Sequence, residues 1–156
     1  MSLHASTLSV GVQESHRPAG AFAPRRLLRA TGVAIGGSLV AVLVTRSLAV
    51  SGTSDTSRFS PLAPGSVISL TVLGVLLAAA TCLWLQRYSD RPVAMFRTVA
   101  LAALGLSLIP DLVVWLARPF PQTRAATVLP LMAMHVLVAG VCMVVLPWLG
   151  RADAGA

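Results

Sequence analysis

Four long apolar runs constrain this sequence more than any other feature. Three of them contain uncharged stretches, at residues 30–45, 59–86 and 125–150, and the third run in chain order, at about residues 93–117, is interrupted by Asp111. A helix needs about 20 residues at 1.5 Å rise to cross a hydrocarbon core of about 30 Å. Because every backbone amide in hydrocarbon needs an internal partner, runs of this length must be helical. The sequence therefore predicts an all-α, polytopic membrane protein with four transmembrane helices in an antiparallel bundle.

The composition supports this fold class and excludes others. The chain has 156 residues, of which 56% are hydrophobic and 11% are charged, whereas a soluble domain carries about 25% charged residues. An ordinary soluble enzyme domain is thereby excluded. The net charge of +7 does not indicate nucleic-acid binding, because the arginines lie at the ends of apolar runs, where they anchor helices. We expect contact with the lipid bilayer and no nucleic-acid partner.

The domain organisation follows from where the apolar runs begin and end. Residues 1–26 are polar and lack apolar periodicity, which is typical of a disordered arm. Residues 27–150 are predicted to form the four-helix transmembrane domain, and residues 151–156 a short tail. The four helices are expected at about residues 28–50, 63–86, 93–117 and 125–149.

The distribution of arginines predicts the orientation in the membrane. With the N-terminus inside, eight arginines lie on the inner side and four on the outer side, so the positive-inside rule places both termini in the cytoplasm. All twelve basic residues are arginine, and this bias is typical of a GC-rich bacterial genome. We therefore expect a multi-pass protein of the bacterial plasma membrane. The inner residues are Arg17, Arg25, Arg26, Arg29, Arg87, Arg91, Arg97 and Arg151, and the outer ones are Arg46, Arg58, Arg118 and Arg124.

The first run allows a second interpretation. Arg25 and Arg26 ahead of a Gly-containing apolar stretch resemble a twin-arginine export signal, and Ser47-Leu48-Ala49, with small residues at its two ends, provides a potential cleavage site. Pro24 stands where such signals usually have Ser or Thr, and no exported domain follows. A retained first helix is therefore the favoured interpretation.

Titratable side chains inside the apolar runs are the candidate functional residues, because charge at membrane depth is costly. Arg46, Asp111 and His135 qualify, and they lie about 6, 9 and 15 Å below the outer boundary at 1.5 Å per residue. Ser107 shares a helix face with Asp111 at a spacing of four residues. Pro110 is predicted to kink the third helix and to free the carbonyl of Leu106. These residues predict an intramembrane polar site.

Within this site the expected interaction is an ion pair between Arg46 and Asp111. His135 is expected to hydrogen-bond Ser107 or, through water, Asp111. The structural alternative is that Arg46 extends to the outer headgroups and that His135 links two helices by a hydrogen bond worth about 1 kcal/mol. Discontinuous helices of this kind form ion and substrate sites in transporters.

The glycines and cysteines of the apolar runs are expected to serve helix packing and not catalysis or metal binding. Gly32 and Gly36 form a G-x-x-x-G motif, which allows close helix packing, either within the chain, the favoured interpretation, or against a second protomer. Cys82 and Cys142 lie in apolar runs without metal-ligand spacing. Haem ligation by His135 with a neighbouring methionine is a weak alternative, because one histidine provides at most one axial ligand. No cofactor or metal is therefore predicted.

The chain resembles a family of uncharacterised small four-helix membrane proteins of high-GC Gram-positive bacteria. The resemblance is carried by Ser107-Leu108-Ile109-Pro110-Asp111 in the third helix and Met134-His135-Val136 in the fourth, and it covers about residues 27–150. It implies the four-helix fold and no established activity.

The functional expectation follows from short loops, the lack of an extramembrane domain and the lack of a catalytic constellation. A non-enzymatic accessory or self-associating membrane module is favoured, with a homo-oligomer or another membrane protein as partner. The alternative is a small proton- or ion-linked transporter that uses the polar site. An intramembrane enzyme that acts on lipid or quinone ranks third.

Overall fold

Four long helices make up the described part of the chain. The computed structural model describes residues 23–52, 63–118 and 125–150. Each helix is long and apolar enough to cross a membrane, which confirms the predicted all-α class with four membrane-spanning helices. In chain order they are α1 (Pro24–Gly52), α2 (Pro64–Tyr88), α3 (Pro92–Ala117) and α4 (Ala125–Gly150).

The first three helices begin with proline. The N–H groups of a first helical turn have no acceptor within the helix, so the N–H that proline lacks costs no helical hydrogen bond. α1 begins at Pro24, so the first turn of the helix includes the last residues of the segment predicted to be a disordered arm. α3 ends at Ala117 and is capped by Arg118, which adopts a left-handed conformation (φ 48°) and donates its N–H to the carbonyl of Val114 at 3.0 Å. The rest of the predicted arm and the predicted tail lie outside the described residues.

The helices run alternately up and down. The N–H of Ala23 donates to the carbonyl of Gly150 at 3.0 Å, which joins the start of α1 to the end of α4. α2 and α3 are connected by residues 89–91 alone, at the same end of the bundle. We call this end the terminus face and the opposite end, at residues 52, 63, 118 and 125, the loop face.

The core is concentrated in the half of the bundle near the terminus face. α1 and α4 form the most extensive helix pair, and α2 and α3 complete the ring, so that α1 and α3 lie diagonally opposite. A smaller cluster of Val42, Val67 and Met134 lies nearer the loop face. The larger cluster contains Leu27, Ala30, Ala34, Val75, Cys82, Leu85, Phe96, Cys142 and Leu146.

The outer surface of the bundle is apolar, as contact with lipid requires. Large side chains such as Leu70, Leu106 and Leu116 are exposed on it, and an exposed apolar surface that surrounds four helices is covered by hydrocarbon in a bilayer. Trp84 and Tyr88 lie near the terminus face with ring centroids 5.1 Å apart, where amphipathic rings contact the headgroup region.

Hydroxyl groups in the helices mostly satisfy themselves locally. Thr31, Thr45 and Thr81 each donate to the carbonyl four residues earlier, at 2.8 Å, so they carry no free donor into the bilayer. Two buried side-chain oxygens of the described residues differ from this pattern and have no hydrogen-bond partner: Oγ of Ser38 and Oδ2 of Asp111. A buried polar atom without a partner requires an explanation, and for Asp111 the surrounding geometry provides one.

Candidate functional site

A cleft of about 270 Å³ lies between α2, α3 and α4, in the middle of the bundle and toward the loop face. Its wall is apolar except for three side chains, Thr71, Ser107 and His135. The remaining lining residues are Val42, Val67, Leu70, Gly74, Ala78, Ala100, Ala103, Leu104, Leu131, Met134, Val138, Ala139 and Cys142.

The cleft exists because small residues recur on the facing surfaces. Gly74 and Ala78 on α2 face Ala100 and Ala103 on α3 across the cleft, and such spacings of three or four residues put side chains on one helix face. A Cβ built on Gly74 would meet no atom within 4 Å. Gly74, Ala103 and Leu70 are exposed, so the cleft opens sideways toward lipid between α2 and α3.

Asp111 lies four residues beyond Ser107, in register with the lining residues of α3, and meets His135 of α4. Its Oδ2 is 3.0 Å from Nδ1 of His135. The Asp111 side chain is 10% exposed and that of His135 is 40% exposed. Asp111 is therefore the buried member of the pair, and His135, which also lines the cleft, is the accessible member.

The hydrogen bonds of His135 determine where its protons lie. Nδ1 is also 3.0 Å from the carbonyl oxygen of Leu131. A carbonyl oxygen only accepts, so Nδ1 carries a proton and donates it to Leu131. The same proton does not also form a well-aligned bond to Asp111, whose Oδ2 lies close to Nδ1 but has no hydrogen-bond partner. Nε2 is then the nitrogen that gains or loses the second proton.

Ser107 and Pro110 are positioned near this pair but do not take the predicted roles in full. The Ser107 hydroxyl donates to the carbonyl of Leu104 at 2.8 Å, so its proton is directed along its own helix and not at His135. Pro110 lies inside α3, which continues to Ala117. Proline has no N–H for the carbonyl of Leu106, so one more acceptor stays available one turn before Asp111.

Arg46 is the one residue of the predicted polar site that lies on α1. It is half-buried on α1, has interactions of its own, and does not line the cleft. The contact that the structure gives the Asp111 carboxylate is with His135, and the expected ion pair with Arg46 stays a prediction. The described site is therefore Asp111 and His135 beside the cleft, with Ser107 in its wall.

Gly32 and Gly36 are exposed on α1, and a Cβ on either would meet no atom within 4 Å. The expectation that they pack within the chain is therefore wrong. The next residue, Gly37, is the one that faces α4, because its Cβ would lie 3.8 Å from Cγ1 of Val141. The G-x-x-x-G surface instead points away from the bundle.

Potential metal ligands do not cluster in the described residues. No three side chains of His, Cys, Asp or Glu come together in residues 23–52, 63–118 and 125–150. Cys82 and Cys142 are buried free thiols in the core, and Cys142 also reaches the cleft wall. Met134, one of the methionines near His135, is buried in the smaller core cluster.

Sequence reasoning missed the cleft itself and the carbonyl of Leu131. The signal for the cleft was present as small residues at helical spacing on α2 and α3, which leave space where neighbouring helices carry Leu and Val. The carbonyl of Leu131 carries no such signal, because a backbone acceptor becomes available only through the position of the side chain four residues later.

The comparisons with known proteins identify a family for the chain. A family of unknown function, DUF6069, matches residues 20–152 of the chain. The chain belongs to this family. The match covers all four helices of the DUF6069 chain, including Asp111 and His135. No curated protein and no solved structure matches it.

Proposed function

We propose that this membrane protein is a small proton-linked transporter in which Asp111 and His135 bind the coupling proton. The observation that supports the proposal is the 3.0 Å approach of Asp111 Oδ2 to His135 Nδ1 beside a cleft within the membrane. This proposal reverses the order that the sequence favours. A transporter would use both the buried Asp111 and the cleft beside it, whereas an accessory role requires neither.

An ionised carboxylate at the depth of Asp111 lowers the stability of the bundle unless its charge is offset. Asp111 is the sole acidic residue in the four helices, and an ionised group at membrane depth is expensive unless it is paired. The contact that the structure gives this carboxylate is Nδ1 of His135, 3.0 Å from Oδ2. A second proton on His135 Nε2 makes the imidazole cationic and offsets the charge of Asp111. Binding and release of that proton therefore change the net charge beside the cleft.

Proton movement across proteoliposomes tests the proposal. The full chain is reconstituted with a pH-sensitive dye inside, and a pH gradient is applied together with candidate solutes. We expect solute-dependent dissipation of the gradient, which Asp111→Asn and His135→Asn both abolish. Asparagine at position 135 retains a donor near the place of Nδ1 but cannot take up a proton.

The matched control is Asp90→Asn, which makes the same chemical change at an exposed residue between α2 and α3. It should leave the flux unchanged. Equal flux from wild type and Asp111→Asn, with both proteins inserted and folded, would contradict a proton-binding role. Loss of the fold in Asp111→Asn would indicate a structural pair.

Self-association is a second proposal, supported by the exposed G-x-x-x-G surface. Gly32 and Gly36 lie on the outside of α1 with open space above them, and small residues at this spacing let two helices approach closely in a membrane. A homodimer formed through α1 is compatible with transport. The oligomeric state of Gly36→Leu, compared with Gly105→Leu, tests it.

The membrane and the orientation are also proposals. The described arginines of the terminus face are Arg25, Arg26, Arg29, Arg87, Arg91 and Arg97. This concentration supports a cytoplasmic location for the terminus face, in the plasma membrane, by the positive-inside rule.

A further inference from the structure

We infer that the cleft binds a small amphiphilic primary amine, with its ammonium group at His135 and Asp111 and its apolar part toward Ala100 and Cys142. The inference rests on the proposed function, because it names the solute for the same proton-binding pair. It is carried by four properties of the cleft, namely its size, its apolar wall, its depth and the unused nitrogen of His135.

The size of the cleft limits the solute. Its volume is about 270 Å³, whereas an apolar cavity of about 150 Å³ accepts one benzene molecule. A phenyl ring with a short side chain therefore fits. Only Thr71, Ser107 and His135 contribute polar side chains to the wall, so most of the bound molecule must be apolar.

The depth of the cleft excludes a lipid headgroup as the ligand. His135 follows the first residue of α4 by ten positions, which is about 15 Å at 1.5 Å per residue and half of a hydrocarbon core of about 30 Å. A lipid would have to bring its headgroup to the midplane. A small amine enters instead from the bilayer through the opening lined by Leu70, Gly74 and Ala103.

The charge at the end of the cleft selects the head group. Nδ1 of His135 already donates to Leu131, so Nε2 is the ring nitrogen left for a ligand, and in the neutral imidazole it is an acceptor. Asp111 supplies a negative charge directly behind the ring. A primary ammonium satisfies both groups, because it donates a hydrogen bond to Nε2 and offsets the carboxylate.

The same geometry couples the amine to the proton. Nε2 has one lone pair, which accepts either a proton or a hydrogen bond from the ammonium. When the amine binds, the proton on Nε2 is released to water, and when a proton binds, the amine leaves. The titratable residues that line the cleft are His135 and Cys142, and Asp111 lies beside His135. Neither α1 nor α2 contributes a titratable residue to the lining. Proton and amine are therefore expected to exchange one for one.

Equilibrium dialysis with labelled 2-phenylethylamine tests the inference. The full chain in lipid nanodiscs is compared with empty nanodiscs, which measure partitioning into lipid. We expect saturable binding of one amine per chain. Because a proton and the ammonium compete for Nε2, the apparent affinity should fall toward acid pH. His135→Asn should bind at least tenfold more weakly and lose this pH dependence.

Two competitors separate the contributions of charge and donor. Propylbenzene has the shape of the amine without its charge, and phenethyltrimethylammonium has the charge without an N–H donor. Both should compete at least tenfold less well than the unlabelled amine. Equal competition by propylbenzene would overturn the role of the polar pair, and equal competition by the quaternary amine would overturn the hydrogen bond to Nε2.

A variant that leaves the polar pair intact guards against loss of folding. Gly74→Leu should fill the cleft, because nothing lies within 4 Å of a Cβ there, and it should abolish saturable binding. Gly65→Leu is the control on the same helix and lies outside the cleft. Unchanged binding in Gly74→Leu would overturn the site. Proton flux that depends on Asp111, without amine binding, would overturn this inference and leave the proposed function standing.

Discussion

Asp111 Oδ2 lies 3.0 Å from His135 Nδ1, although the backbones of the two residues lie at different depths in the membrane. Counted from the loop face, Asp111 is about 9 Å deep and His135 about 15 Å deep. Side chains on a helix tilt toward its N-terminus. α3 begins at the terminus face and α4 at the loop face, so Asp111 leans inward, His135 leans outward, and the two side chains meet.

A double-mutant cycle on this pair should give strong non-additivity. His135→Leu leaves the Asp111 carboxylate buried without its neighbour, which should lower the free energy of unfolding by about 1–3 kcal/mol. The double variant with Asp111→Leu removes both polar groups and should recover most of that loss. Unfolding in mixed micelles, followed by circular dichroism, measures all four corners of the cycle.

Ser107→Ala provides the control for this cycle. The Ser107 hydroxyl bonds to Leu104 on its own helix, so its removal should change stability by less than about 0.5 kcal/mol and should combine additively with His135→Leu. A cycle at positions 111 and 135 that is additive as well would contradict a direct interaction.

The fold could be predicted from the sequence because the bilayer sets the length and polarity of a spanning helix. The ends of the helices were predicted less accurately than the fold class, and α1 shows the reason. Arg25 and Arg26 were predicted to precede the helix, yet they lie within its first turn. Arginine at a helix end extends its charged group to the headgroups, so charge marks the membrane boundary and not the end of the helix.

The candidate site was only partly predictable. The four-residue spacing placed Ser107 and Asp111 on one face, and depth estimates brought His135 near them. The pairing of Asp111 with Arg46 stays a prediction, because the order of helices around a bundle is not encoded in spacing along one helix. The direct approach of His135 was missed because depth was counted along the helix axis, without the opposite tilt of side chains on antiparallel helices.

Labelling of single cysteines should establish the orientation. Ser89→Cys lies in the connection at the terminus face and Ala63→Cys precedes α2 at the loop face. With Cys82 and Cys142 replaced by serine or alanine, a membrane-impermeant maleimide should label position 63 in intact cells and position 89 only in inverted vesicles. The reverse pattern would place the terminus face outside and would contradict the arginine argument.

Substitution of the exposed glycines should break self-association without affecting the bundle. Gly36→Leu places a large side chain on the surface where two α1 helices would meet, so cross-linked dimers in native membranes should decrease at least tenfold. Gly105→Leu is matched, because that glycine on α3 also has nothing within 4 Å of its Cβ but no small residue four positions away. A cross-linking yield that is equal in both variants would rule out this surface as the interface.

Truncation of a core leucine should lower the free energy of unfolding by less than in a soluble protein. It should lower it by more than truncation of a leucine at the lipid surface. Leu146 is fully buried and Leu116 is 82% exposed. In a membrane the unfolded helices also contact hydrocarbon, so the transfer contribution to the loss largely vanishes while the contribution from the cavity remains. Leu146→Ala should lower the free energy of unfolding by about 1–2 kcal/mol, and Leu116→Ala by less than about 0.5 kcal/mol. Unfolding in mixed micelles measures both, and equal losses would mean that the bundle does not pack around Leu146.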